Sequence, residues 1–472
     1  MSSTTPATPS KFRVAIVGAG LGGLLLALFL QKYSTDIDVD IYESAAKLTE
    51  LGAGIGVWPR VMEVLKFLGL EDDLKEIGGA HDSTAQSVHY RKADEPKAVD
   101  IRVFAPALLT FSRSDLQAVL AKHLHTADKI VYSKRLLAYV EPEAGQLDPI
   151  VLQFKDGTTA TCDLLVGSDG IRSAARRTMF NNLADAAEIR GDKEQAAKLR
   201  TMIEPVWSGQ VVYRGLVPVD KLADSAHSKD LQKTLILLGK DRASLPSLSA
   251  TNVHEANIDP QDIVSYPITR GKTINVAAFV NTPGAEGTTY TKAWVTESTS
   301  AEVLEKFSGW DAGVQDLFKA MDKSLSWAVH TVRGLPTYVS GRAVLIGDAA
   351  HAMTPHQGSG AGQAIEDGFI LATILSHPNV TLSNLFEALK IHDGLRRPFS
   401  QGIQRRSQMT GYLYHLHRLG WEHITGEQSA AGDYPREMLG KIGDELESAM
   451  GWAINESIMD DREKALKLLE KL

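Results

Sequence analysis

The clearest apolar pattern lies near the start of the chain. Phe12 to Val17 is a short run rich in β-branched residues and closed by Gly18, which predicts a buried strand. Leu21 to Tyr33 predicts a helix, and Asp38 to Tyr42 alternates polar and apolar positions before Glu43, which predicts a second strand. Strand, helix and strand in that order imply a parallel sheet with a right-handed crossover.

Further on, Val151 to Thr158 predicts a hairpin turning at Asp156-Gly157, and the strand after it ends in Leu164-Leu-Val-Gly-Ser-Asp-Gly170. Residues 181–204 are charged and helix-prone, as expected of a connection leaving the first unit. Val211–Val217, Thr234–Leu238, Asp262–Ile268 and Ile274–Val280 are strand candidates that together predict an antiparallel sheet. Lys240 to Gln261, rich in Ser, Asn, Asp and Pro, predicts a long loop between two of them. Ala343 to Gly347 returns to a buried-strand composition, and beyond Phe386 the pattern is mainly helical. The fold class expected is α/β: a parallel sheet of nucleotide-binding type, an antiparallel sheet and a C-terminal helical segment.

Composition narrows the function. The chain has 472 residues, 43% hydrophobic and 23% charged, with a formal net charge of −8 and no long basic run. That argues against a nucleic-acid partner, which needs a clustered basic face. The single cysteine, Cys162, cannot form an internal disulfide and fits a reducing compartment. Met1 to Ser10 lacks the charged and apolar regions of a secretory signal, and the apolar run Leu24–Leu30 is too short to span a bilayer. The last residues match no targeting or lipidation signal. A cytoplasmic protein without membrane insertion is the expectation.

Three glycine-bearing motifs sit at predicted strand ends. The first is Gly18-Ala-Gly20-Leu-Gly22-Gly23 between strand and helix. Gly18 permits a tight turn, Gly20 lets a pyrophosphate approach the backbone, and Gly23 lets helix and strand pack closely. The helix start offers free N–H groups to phosphates, and Glu43 stands where a carboxylate accepts hydrogen bonds from ribose hydroxyls. The second motif is Gly167-Ser-Asp169-Gly170-Ile-Arg-Ser173. The third is Gly347-Asp348-Ala-Ala-His351, followed by Pro355-His356-Gln-Gly358-Ser-Gly-Ala361-Gly362. An Asp at a strand end can bind ribityl hydroxyls, and amides at the next helix start would stabilise negative charge on a reduced flavin by up to about 2 kcal/mol. Taken singly, each piece could be an ordinary turn or linker; that reading does not explain all three at strand ends.

On these motifs, from Phe12 to about Arg397, the chain resembles the group A flavoprotein monooxygenases, the p-hydroxybenzoate hydroxylase superfamily. It looks most like the salicylate-hydroxylase-like branch and its fungal relatives. The resemblance implies a Rossmann-like FAD-binding domain in two parts, residues 1–180 and 330–395. A substrate domain would follow at 181–329, with a contribution near 82–105, and the helical segment would occupy 396–472. It implies FAD contacts at Glu43, at Gly56 in Gly52-Ala-Gly-Ile-Gly56, at Arg113, at Asp348 and at Ala361, and a shared role for Asp169 toward FAD and NADH or NADPH. The family has no separate NAD(P)H domain, and this chain has one Gly-x-Gly-x-x-Gly. Tyr213-Arg214-Gly215 resembles the family segment whose arginine lies near flavin and substrate, and Tyr266 resembles a tyrosine that binds or deprotonates the phenol. For Arg214 the plainer alternative is a surface arginine, and for Tyr266 a core tyrosine. The long Lys240–Gln261 loop departs from the family pattern and would mark a lid or an altered pocket wall.

The function implied is hydroxylation of a phenolic or hydroxybenzoate-type substrate with NAD(P)H and O2 through a flavin C4a-hydroperoxide, with loss of CO2 if the attacked carbon bears a carboxylate. Alternatives left open are a dearomatising monooxygenase acting on a polyketide-type phenol, an O2-independent FAD reductase or dehydrogenase, and a non-catalytic flavin-binding protein. His351 and His356 lie five positions apart across a proline, with no carboxylate at ligand spacing, so no metal is expected. A homodimer would follow by family likeness alone.

Overall fold

The computed structural model describes residues 10–34, 36–48, 54–78, 87–105, 108–125, 130–143, 146–243 and 258–472. The first nine residues, Gly52 and Ala53 of the glycine stretch, and 244–257 of the expected loop lie outside them.

Among the described residues, the first sheet runs in the spatial order 339–340, 343–345, 164–167, 12–17, 37–42, 130–131. Its pairs are parallel except for the 339–345 hairpin. The central strand Phe12–Val17 is buried on both faces, which explains its unbroken apolar run. The helix Leu21–Tyr33 is enclosed from Leu21 through Leu30, because it lies between this sheet and a second buried helix, Gly360–Leu375. The two helices approach closely at Gly22 and Gly368: a Cβ on Gly22 would lie 3.2 Å from that of Ala364.

The other large sheet has eight strands in the order 295–298, 324–331, 206–218, 273–281, 258–268, 234–243, 88–92, 99–104. All neighbours are antiparallel except 88–92 with 234–243. Alternation along these strands divides their side chains. Tyr213, Leu235, Ile263, Val276 and Ala278 pack against the helices Ser300–Lys306 and Ala312–Lys319. Arg214, Ile236, Val264, Tyr266, Ala277 and Phe279 face the other way, into a large cavity.

Three expectations are revised. The loop expected over Lys240–Gln261 is strand at both ends, since 234–243 and 258–268 pair as far as Arg242 with Asp259 and Ala243 with Ile258. The boundary drawn at residue 180 falls inside the helix Ala174–Ile189, whose Phe180, Ala184 and Ala187 are buried in the core under the first sheet. Residues 181–189 thus finish a helix of the first unit rather than leaving it. The boundary at 396 likewise falls within the long helix Leu385–Tyr414. A continuous helix propagates across a composition change that looks like a border in the sequence.

No helix among the described residues is long and apolar enough to cross a membrane.

Candidate functional site

The cavity, of about 680 Å³, lies between the two large sheets and is lined by all three glycine-bearing motifs. Gly18 has φ +106°, and a Cβ there would lie 2.2 Å from the Ser168 carbonyl oxygen. A Cβ on Gly23 would lie 2.1 Å from the Gly18 oxygen, so both positions exclude any side chain. Gly20 differs. Nothing lies within 4 Å of its Cβ position, so here the absent side chain leaves the backbone open to the cavity.

Gly20 caps the helix Leu21–Tyr33 and Ser359 caps Gly360–Leu375. Close packing of the two helices brings two N-termini, with Ala361 in the second, to the same cavity. Unpaired N–H groups and the positive ends of two helix dipoles therefore converge where an anionic group can enter. The Glu43 carboxylate is held beside the first of these helix starts, accepting from Ala19 N–H at 2.9 Å and Ala45 N–H at 2.7 Å. Gln117 donates to the Ala19 carbonyl at 3.1 Å and holds the same loop. Gly56 and Arg113 also line the cavity, from a two-stranded ribbon of 54–57 with 109–112 and the helix that follows it.

Asp169 lines the cavity, yet its oxygens are engaged within the chain. Oδ1 accepts from Ser173 Oγ at 2.5 Å, and Oδ2 accepts from the N–H groups of Ala174 and Ala175 at 2.7 and 3.1 Å. It takes the first two N–H groups of the helix Ala174–Ile189, whose N-cap is Ser173, and burial raises its pKa against those hydrogen bonds. Asp348, in contrast, is exposed to the cavity. It follows Gly347, whose φ of +59° and ψ of −142° suit only glycine. That turn is fixed from beneath by Asp367, which accepts from Gly347 N–H at 2.9 Å. Arg396, on the long helix, donates to Asp367 and Glu366 at 2.9 Å each. Arg60 joins Glu366 to Asp461 at 3.2 and 2.5 Å.

Arg214 and Tyr266 meet at the sheet face. Arg214 and Val264 both pair with Ala277 across neighbouring strands, and Tyr266 pairs with Asn275 one row further. Burial lowers the Arg214 pKa, opposed by Tyr266, and the nearby Arg113 charge lowers it further. Its Nε is enclosed without a hydrogen-bond partner. Burial pushes the Tyr266 hydroxyl up to about 12, moderated by Arg214. The Tyr266 ring lies against Gly54, where a Cβ would come within 2.5 Å, and Gly54 N–H donates to Asn275 at 2.9 Å.

The glycine cradle, the paired helix N-termini and Glu43 have the chemistry to hold an FAD molecule, with Gly20 open to a pyrophosphate and the cavity long enough to reach the Arg214 face. The family model described as "FAD binding domain" matches residues 11–202 and 253–380. The FAD-dependent monooxygenase str9 of Strobilurus tenacellus is 32% identical, with 98% of this chain and 99% of that protein covered. A salicylate hydroxylase of Pseudomonas putida is 32% identical, with 86% of each chain covered. The chain belongs to the FAD-dependent aromatic monooxygenases. The 6-methylsalicylate 1-monooxygenase atA of Aspergillus terreus is 30% identical, with 84% of this chain and 82% of that one covered. A solved salicylate hydroxylase substrate complex superposes on the monooxygenase with a TM-score of 0.76 at 27% identity, covering 96% and 98% of the two chains. The expected family, α/β fold and FAD cofactor are all supported by these likenesses.

Sequence reasoning missed one group. His356 lines the cavity, and Asp262 and His415 place donor atoms within 4.8 Å of it and of one another, all buried. Asp262 and His415 are 153 positions apart in the sequence, so no local spacing reveals the group. His351 stands apart, paired with Asp367 at 2.6 Å.

Proposed function

We propose that the protein hydroxylates a phenolic or hydroxybenzoate-type aromatic substrate, using NAD(P)H and O2. The observation that supports this reading is the sheet face where Arg214 and Tyr266 flank apolar Val264 and Ala277 in the cavity of the FAD cradle. FAD, when bound, supplies the redox chemistry that takes electrons from NAD(P)H and delivers one oxygen atom to the ring.

The chain's own residues prepare the ring. Electrophilic oxygen transfer is faster to a phenolate than to a phenol, and the Arg214 guanidinium stabilises negative charge on a substrate oxygen. Tyr266, with its hydroxyl near 12, stays protonated at neutral pH and serves as a hydrogen-bond donor to that oxygen. Val264, Ala277, Phe279 and Ile236 form apolar walls that exclude water from the reacting centre. Where the attacked carbon carries a carboxylate, CO2 leaves as the ring regains aromaticity.

The test is NADH and NADPH oxidation by the FAD-loaded protein with a panel of hydroxybenzoates and alkylphenols, following hydrogen peroxide and product mass. Products heavier by one oxygen, or by one oxygen less CO2, with little peroxide are the expected result. Slow, substrate-independent oxidation giving only peroxide would count against it.

A further inference from the structure

The sheet floor of the cavity is wider than one aromatic ring. Arg214, Ala277, Val264, Ile236 and Tyr90 pair in turn across five neighbouring strands, so they form one row on one face, and all five line the cavity. At about 4.8 Å per strand the row runs about 19 Å from Arg214 to Tyr90. Thr234 and Val88, paired with each other two residues before Ile236 and Tyr90, line the same end in the next row. A monocyclic phenol held between Arg214 and Tyr266 covers Ala277 and Val264, about two strand spacings. About 10 Å of floor beyond Val264 is left without an occupant by the chemistry above.

That end of the cavity is apolar, and its tyrosine hydroxyls already have partners. Val88 and Tyr90 are each 1% exposed, and with Ile236 and Tyr414 they belong to one buried cluster. Leu108 packs on that cluster and on the one that holds Trp58 and Met450, so apolar side chains enclose the space. The Tyr90 ring is stacked on Phe104 of the edge strand, with 5.6 Å between centroids, and backs the end of the row. Its hydroxyl is bonded to that of Tyr414, which donates to the His356 carbonyl at 2.8 Å. Among the described residues, Arg214 is the only charged side chain that the eight-stranded sheet gives to the cavity, and beyond Val264 the sheet adds no polar group but the Tyr90 and Thr234 hydroxyls.

Apolar walls that the ligand leaves bare are wetted, which forfeits hydrophobic contact and brings water beside the reacting ring. We propose that the substrate is a phenol carrying an extended apolar substituent, and that Ile236, Tyr90, Thr234 and Val88 form the channel that takes it. Arg214 and Tyr266 hold the phenolic oxygen at one end, and the substituent lies along the row toward Tyr90. A charge at the tip of that substituent is refused, because it would lose its water and meet no ion partner.

The inference rests on the phenolic substrate proposed above, and binding without turnover separates the two. FAD-loaded protein, with no reductant, is titrated with the para-methyl, propyl, pentyl, heptyl and decyl phenols, following the visible flavin spectrum. A fully buried methylene is worth about fourfold in affinity, so the pentyl phenol should bind at least about thirtyfold tighter than the methyl one. The gain should end by heptyl, and a carboxylate at the tip of the pentyl chain should cancel it. Val88→Phe and Thr234→Phe fill the channel, and each should bring the pentyl-to-methyl ratio down to about threefold or less. Because the unaltered protein reports the ratio by itself, loss of folding in a variant leaves the test decisive. Equal binding of all chain lengths would overturn the channel and leave the proposed function standing. So would a gain that continues to decyl and survives both variants, which is the mark of unspecific apolar binding. If no phenol perturbs the flavin, the proposed function falls, and the channel with it.

Discussion

His351 Nε2 and Asp367 Oδ2 face each other at 2.6 Å with both side chains fully enclosed, and the same Asp367 oxygen accepts the N–H of Gly347. Burial alone would raise the Asp367 pKa; the charges of His351 and Arg396 instead hold it well below the usual carboxylate range. The glycine turn that presents Asp348 to the cavity is thus anchored on an ionised carboxylate inside the protein.

Asp367→Ala would leave Arg396 short of one partner and free the Gly347 turn. Breaking a buried ion pair by removing one member costs about 3–5 kcal/mol. Urea denaturation of the FAD-loaded variant should show a loss of that size, with FAD released before global unfolding.

Gly20 and Gly23 should respond in opposite ways. Gly23→Ala meets the Gly18 oxygen and should fail to fold. Gly20→Ala meets nothing in the chain, so the apoprotein should keep or gain about 0.4–1 kcal/mol. Its added methyl group points at the space assigned to pyrophosphate, and FAD affinity should fall at least tenfold. Calorimetry of the apoprotein and fluorescence titration with FAD measure the two effects.

Arg214→Met removes the cation at the sheet face while keeping an apolar stem. kcat/KM for the best phenol should fall by about 10²–10³, and the share of NAD(P)H oxidised to hydrogen peroxide should rise. A fall in kcat/KM with unchanged coupling would assign Arg214 to binding alone.

Asp262 titrates near 7 in the folded protein against 3.8 when free, raised by burial and partly opposed by His356. The native state keeps a proton that the unfolded chain releases, so stability is full below about pH 4 and declines as pH rises through 7. The loss across that window is of the order of a few kcal/mol. Asp262→Asn has no such proton to lose. Relative to the unaltered protein it should gain stability between pH 5 and pH 8, read from urea midpoints at both values.

The parallel unit was legible because its signals are local. Phe12–Val17 and Leu21–Tyr33 have the bounds expected, since a doubly buried strand and an enclosed helix carry unbroken apolar runs. Asp156-Gly157 turns its hairpin with Gly157 at φ +82°. The cavity gathers Gly18, Gly20, Glu43, Gly56, Arg113, Asp169, Arg214, Tyr266, Asp348 and Ala361 around one space. Gly23 lies beneath it, against Gly18. The Asp262, His356 and His415 group was illegible because only the sheet register and the long helix bring those residues together. The division of the chain was blurred for a similar reason: helices Ala174–Ile189 and Leu385–Tyr414 carry polar outer faces across two of the three expected borders.

The bond from Arg60 to Asp461 bears on the order in which the protein matures. Asp461 lies on the helix Ile458–Leu469, and through Arg60, Glu366 and Arg396 it joins the ion network beneath the Gly347 turn. During synthesis every glycine of the cradle emerges long before this last helix can dock. The floor of the pocket is thus closed by a residue far from the cradle in the sequence, and tight FAD capture depends on that distant contact. A protein lacking the helix Ile458–Leu469 should therefore bind flavin weakly although every glycine of the cradle is intact.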